Sequence, residues 1–164
     1  MSKTLILIPS RLSATRLPGK PLLEINGIPM ILHVVNKALS TKIGRVIVAT
    51  EDKEIFDVVK GSGNEVLMTG SHHKTGTDRI YEALTKLKLN ETEYIINLQG
   101  DEPLVNPEDI INLNHLVVKS NCKLGTMASK LKKKEDIENQ NIVKVTTEKE
   151  LTKNYLIKAN NFVR

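Results

Sequence analysis

The sequence predicts an α/β fold with a mainly parallel sheet covered on both faces. Two observations carry this expectation. Short apolar runs alternate with helical patterns four times along the chain, which implies right-handed βαβ crossovers. The first and fourth runs each lead into a polar loop loaded with reactive side chains. Open α/β sheets bind ligands beyond the carboxyl ends of their strands, where the strand order reverses. A ligand crevice is therefore expected between these two strands, provided they are neighbours.

Composition bounds the rest. The chain has 164 residues, 40% hydrophobic and 26% charged, an ordinary globular balance. A domain of this length buries roughly 68–70% of the surface its unfolded chain exposes. Aromatic residues make up 3% and Trp is absent, so the core must be aliphatic. The net charge of +5 raises the question of nucleic acid. The lysines are dispersed and stacking residues scarce, which argues against that partner. An anionic small substrate accounts for the basic loop equally well. Cys122 is the only cysteine, so no intrachain disulfide forms and a cytoplasmic setting is expected. The N-terminal apolar run is too short for a signal peptide or a membrane span, so no membrane insertion is expected.

Leu5-Ile6-Leu7-Ile8 reads as a strand buried on both faces, ended by Pro9, which has no N–H for a ladder. Asn26-Gly27 is a turn. Pro29 opens a helix with Ile31, Val34, Val35 and Ala38 on its inner face. Arg45–Thr50 is a second buried strand, and Asp52 caps a second helix packed through Ile55, Phe56, Val58 and Val59. Gly61-Ser62-Gly63-Asn64 stops that helix before a short strand, Glu65–Met68. A polar loop, Thr69–Thr77, precedes a helix carrying Ile80, Leu84 and Leu87. Glu93–Leu98 is the fourth strand. Asn106-Pro107-Glu108-Asp109 combines a capping Asn, a first-position Pro and first-turn acids, and starts a helix running to about Lys119. Leu124–Ser129 is expected as a fifth strand, Lys130–Gln140 as a charged connector, and Asn141–Thr146 as a sixth strand.

Three loops carry chemistry. After the first strand come Arg11, Arg16 and Lys20 with no acid among them, suited to offset the charge of a triphosphate. Pro18, Gly19 and Pro21 stiffen the chain around Lys20. The loop is not a Walker A motif, and no G-x-G-x-x-G follows the strand. Gln99-Gly100-Asp101-Glu102-Pro103 leaves the fourth strand. Asp101, and less firmly Glu102, offers a hard oxygen ligand for Mg²⁺, which takes one or two carboxylates alongside substrate phosphates. The alternative is a turn with two exposed acids. Ser71–Arg79 opens a helix whose N–H groups can meet polar acceptors. His72-His73 lies there without an H-E-x-x-H or C-x-x-C companion and reads as surface or loop-packing histidines. Asp78 can cap the helix, Arg79 can pair with a neighbour, and no role falls to His33 or His115.

The string Ile8-Pro9-Ser10-Arg11, followed by Ser13-Ala14-Thr15-Arg16-Leu17-Pro18-Gly19-Lys20-Pro21-Leu22, resembles the signature loop of 3-deoxy-manno-octulosonate (KDO) cytidylyltransferases, also called CMP-KDO synthetases. That family usually has Ala where Ser10 stands, and Ser-Thr-Arg where Ala14-Thr15-Arg16 stands. Val48-Ala49-Thr50, the His73–Arg79 string and Gln99-Gly100-Asp101-Glu102-Pro103 are similar to further family motifs, in order and at similar spacing. CMP-sialic acid synthetases resemble the fold but lack the Leu-Pro-Gly-Lys loop and the Gln-Gly-Asp-Glu-Pro turn.

The resemblance implies a three-layer Rossmann-like nucleotidyltransferase fold, with residues 1–164 as a single domain incomplete at its C-terminus. It implies the substrates CTP and KDO, giving CMP-KDO and pyrophosphate for lipopolysaccharide assembly, with Mg²⁺ as cofactor. Arg11, Lys20 and Asp101 would be catalytic, with Asp101 on the metal. Pro9, Ser10, Arg11, Arg16, Lys20, Thr75, Gly76, Arg79 and Gln99 would bind the nucleotide. The resemblance covers residues 4 to about 147. Family members are longer, and their later part carries the sugar-binding segment, a second metal-binding Asp and much of the contact of a homodimer. Phe162-Val163-Arg164 matches only a remnant of it. Two alternatives follow: a CTP-binding chain without turnover, and a cytidylyltransferase for another acidic 2-keto sugar.

Overall fold

The computed structural model describes residues 3–13, 17–89 and 92–164. The chain divides into two compact units, Met1–Glu108 and Asp109–Arg164.

In the first unit, β1 (Thr4–Ser10) is buried at every position. β2 (Glu24–Ile25) and β3 (Ile28–Pro29) form a small antiparallel hairpin. Its turn is Asn26-Gly27, with φ of 53° and 76°, the mirror-image turn that Asn-Gly favours between strands. Then follow α1 (Met30–Ser40), β4 (Gly44–Thr50), α2 (Lys53–Gly61), β5 (Val66–Met68), α3 (Gly76–Leu87), β6 (Tyr94–Asn97) and the start of α4 (Pro107–Ser120). The sheet order is β5-β4-β1-β6, and every pairing in it is parallel. The chain steps outward from β1 through β4 to β5, then returns across the sheet to place β6 on the other side of β1. The order therefore reverses between β1 and β6, the two strands whose loops carry the chemistry.

Alternation sorts the strand side chains between two layers. Leu5, Leu7, Ile47 and Ala49 pack with Ile80 and Ala83 of α3. Ile6, Ile8, Val46 and Val48 are buried on the opposite face, where α1 and α2 contribute buried Ile31, Val34, Val35, Ile55 and Val59.

Several sequence expectations need correction. Pro9 does not end β1, which stays in register with β4 through Ser10↔Thr50. The Leu7 carbonyl accepts from Leu98 N–H on the β6 side at 3.0 Å. Alternation turns Pro9 the same way, so its missing N–H falls beyond the β6 ladder, which stops at Leu7↔Asn97. Pro9 thus ends only half the ladder. Pro29 closes β3 and stands at the N-cap of α1, one residue before the helix.

The second unit holds the remainder of α4, a short helix α5 (Lys134–Glu138), and an antiparallel pair, β7 (Lys144–Thr147) with β8 (Ala159–Val163). Leu124–Ser129 is not a strand: nothing pairs with it, and apolar alternation makes a strand only where a partner ladder exists. The connector from Lys130 contains α5 where no helix was expected, and β7 pairs with β8 rather than joining the main sheet. Among the described residues no helix is long and apolar enough to cross a membrane.

Candidate functional site

The carboxyl ends of β1 and β6, the loop after β1 and the start of α3 surround a cavity of about 290 Å³. Pro9, Ser10, Arg11 and Lys20 line it from the β1 side, Thr75, Gly76 and Arg79 from the α3 side, and Gln99 and Asp101 from the β6 side. All nine sequence-predicted site residues that the structure describes therefore share one cavity. Arg16, the tenth, lies outside the described residues. Glu102 does not line the cavity, whereas Pro21, His73 and Gly100 do.

Two glycines set the close approaches. A Cβ at Gly100 would stand 2.9 Å from the Pro9 carbonyl oxygen, too near for any other residue. A Cβ at Gly76 would press on the Pro9 ring at 3.1 Å. The three chemical loops can converge on Pro9 because these positions carry no side chain.

The loop after β1 is held by its own backbone and by one distant acid. Gly19, at φ 71°, donates its N–H to the Leu12 carbonyl at 3.1 Å. The Leu12 N–H donates to Asp52 Oδ2 at 2.7 Å. Asp52 does occupy the N-cap position of α2, but its side chain makes no capping bond; it anchors the loop instead. Gly19 then starts the single 3₁₀ turn Lys20–Leu22. From it Lys20 Nζ reaches Asp101 Oδ2 at 3.0 Å.

The loop before α3 is pinned by Arg79 and Glu82. Arg79 is 2% exposed; its guanidinium pairs with Glu51 and donates to the Thr69 hydroxyl and the Gly70 carbonyl. Glu82 Oε2 accepts from Gly70 N–H at 2.8 Å and meets His73 Nε2, while Glu82 Oε1 pairs with Lys86 at 2.6 Å. The Lys86 ammonium, then His73 and the Gly70 N–H, hold the Glu82 carboxyl down at about 2. Thr75 and Asp78 form a full capping box, and the Thr75 hydroxyl lowers the Asp78 carboxyl below its usual range. The box occupies the N–H groups of Thr75 and Asp78, leaving the Gly76 N–H at the cavity without a partner inside the helix.

The charge balance follows. Glu51 answers Arg79 and Asp101 answers Lys20. Arg11 is exposed and makes no hydrogen bond or ion pair with a described residue. The cavity thus offers a guanidinium unpaired among the described residues, one ammonium shared with a carboxylate, and a helix start, a combination that attracts an anion. Ser10 Oγ is buried in its wall without a hydrogen-bond partner among the described residues. For a metal, the cavity provides one hard carboxylate, Asp101, half-exposed and so open to the solvent-borne oxygen ligands that Mg²⁺ retains. The donor set fits a cation completed by substrate phosphates and water.

Glu51, Asp52 and Glu82 were missed as site-supporting residues. Each bonds a partner 9 to 40 residues away in sequence, and no local motif marks them.

The family profile described as cytidylyltransferase matches residues 5–162. The chain is 47% identical over 144 residues to a 3-deoxy-manno-octulosonate cytidylyltransferase of Rhodopseudomonas palustris strain HaA2, covering 87% of this chain and 59% of that one. It is 43% identical over 145 residues to the enzyme of the same name from Haemophilus influenzae strain PittGG, covering 88% and 57%. A solved structure of a CMP:2-keto-3-deoxy-manno-octonic acid synthetase complexed with CTP superposes with a TM-score of 0.79 at 33% identity, over 99% of this chain and 64% of that one. The chain thus spans less than two thirds of the length of these relatives.

Proposed function

The chain belongs to the cytidylyltransferase family, and from that premise we propose that it forms the CTP-binding part of an enzyme that transfers CMP from CTP to KDO. One observation carries the reading: every described residue expected at the nucleotide site lines the same cavity, at the point where the strand order reverses. The names of the relatives and the CTP held by the similar synthetase support the choice of substrates.

In this reading the Arg11 guanidinium and the Lys20 ammonium hold the triphosphate, with the Gly76 N–H as a further donor. The anomeric hydroxyl of the sugar attacks the α-phosphorus in line. The new C–O–P linkage forms as the bond to the β-phosphate oxygen breaks, and the hydroxyl proton leaves to solvent. Pyrophosphate departs against Arg11 and Lys20, whose charges stabilise it. Catalysis is then positioning and electrostatics. Asp101 would hold Mg²⁺, which supplies neutralisation of the phosphate oxygens. Arg79, already committed to Glu51 and Thr69, acts by fixing the loop rather than by touching phosphate. The reaction is a cytoplasmic one, upstream of lipopolysaccharide assembly.

The test is pyrophosphate release from CTP with Mg²⁺, with and without KDO, beside CTP binding by calorimetry. Release that needs KDO supports the transfer reading. Lys20→Ala should weaken CTP roughly tenfold, as expected for one charge-assisted hydrogen bond. CTP bound no better than ATP, or unaffected by Lys20→Ala, contradicts it.

A further inference from the structure

Beside the nucleotide cavity the loop between β5 and α3 brings together His72, His73 and Glu82, whose ligand atoms all lie within 4.8 Å of one another. His73 lines that cavity and Glu82 braces its loop, yet the proposed transfer reaction gives none of the three a contact with substrate. We propose that these three side chains form a binding site for a single Zn²⁺-class transition-metal ion, separate from the Asp101 position.

The donor set chooses the metal. Two imidazoles and one carboxylate suit Zn²⁺ and its neighbours, whereas Mg²⁺ requires oxygen ligands. Three protein ligands leave a fourth position for water in a tetrahedral site. Ligands at about 2.0–2.1 Å from zinc stand roughly 3.4 Å apart in that geometry, so small side-chain rotations close the group around an ion.

The surroundings are prepared for it. A Cβ at Gly70 would stand 2.6 Å from both Cε1 and Nδ1 of His72 and 3.4 Å from Glu82 Oε2. His72 therefore occupies space that only glycine leaves. Its ring lies 4.3 Å from that of His73, tilted by 41°, and it has no hydrogen-bond partner among the described residues. Gly70 N–H aims Glu82 Oε2 at the two rings. Lys86 takes the other oxygen and also donates to the Met68 carbonyl at 3.0 Å, so the carboxylate is oriented from behind, in the manner of outer-shell partners. The Lys86 charge opposes a dication and sets the expected affinity in the micromolar rather than the nanomolar range.

The inference does not depend on the nucleotide reading, and its test uses metal alone. Chelator-treated protein is titrated with Zn²⁺ in excess Mg²⁺, by calorimetry and by competition with a chromophoric chelator. Co²⁺ absorption then reports the coordination number. The expected result is one ion per chain, with four-coordinate Co²⁺ bands. His72→Ala, at an exposed and unbonded side chain, should keep the fold and lose affinity at least about tenfold, as even outer-shell losses do. Glu82→Gln should lose affinity as well, while His115→Ala, outside the cluster, should not. No binding up to roughly 100 μM Zn²⁺, far above the micromolar range, or equal binding by wild type and His72→Ala, overturns the site.

Discussion

Met1–Glu108 holds eighteen of the nineteen buried aliphatic residues among those described, prolines aside; Asp109–Arg164 holds only Ile110. The first unit is cohesive because β1 and β4 bury side chains on both faces of a parallel sheet. The second relies on one antiparallel pair and on exposed ion pairs, Lys153–Asp109 at 2.8 Å and Lys130–Glu150 at 3.0 Å. Several of its large apolar side chains stand in solvent: Leu124 is 87% exposed and Phe162 54%. A two-stranded pair is marginal without a packed face, and exposed ion pairs contribute little. The lining of the candidate site comes wholly from the well-packed first unit, where tight packing can fix side chains to the tolerance a nucleotide requires.

The sharpest way to break this contrast is Arg79→Met. It strips Glu51 of its partner inside the core and should cost about 3–5 kcal/mol, as for other half-removed buried pairs, read by urea denaturation. Ile47→Ala opens a cavity between the sheet and α3 and should cost about 2–5 kcal/mol. Asp52→Ala removes a single bond to Leu12 N–H and should cost about 1 kcal/mol of stability, with a larger effect on CTP affinity because the loop carrying Arg11 loosens. Val143→Ala in the second unit should change stability by less than about 0.5 kcal/mol. A large loss there would erase the contrast.

Acid and base should touch the two units at opposite ends of the pH scale. Asp78 is lowered by the Thr75 hydroxyl, so its stabilisation is full above its usual value near 3.8 and is lost as pH falls below it. Lys153 is raised by its hydrogen bond to Asp109. Its contribution is present below 10.5 and is lost as pH rises further. The stability difference between wild type and Asp78→Asn should shrink in acid, and that between wild type and Lys153→Met in alkali.

Much of the first unit was legible because its signals are local. The Ile- and Leu-rich run before Pro9, the Asn26-Gly27 turn, the Asn106-Pro107 helix start and the inner face Ile31-Val34-Val35-Ala38 each specify their own conformation. The cavity residues were found because they cluster after strands. What escaped depends on partners distant in sequence. Asp52 looks like a helix cap until Leu12 N–H arrives to claim it. Glu82 looks like an exposed helix residue until the loop before α3 folds back on it. Leu124–Ser129 has strand chemistry and no neighbour to pair with.

The most direct test of the central claim, that the β1–β6 cavity is the nucleotide site, is an amide NMR titration with CTP and Mg²⁺. The account predicts that shifts concentrate at Ser10, Arg11, Lys20, Gly76, Gly100 and Asp101, while Lys144–Thr147 and Ala159–Val163 stay in place. Perturbations centred on β7 and β8, or none at saturating CTP, would contradict it.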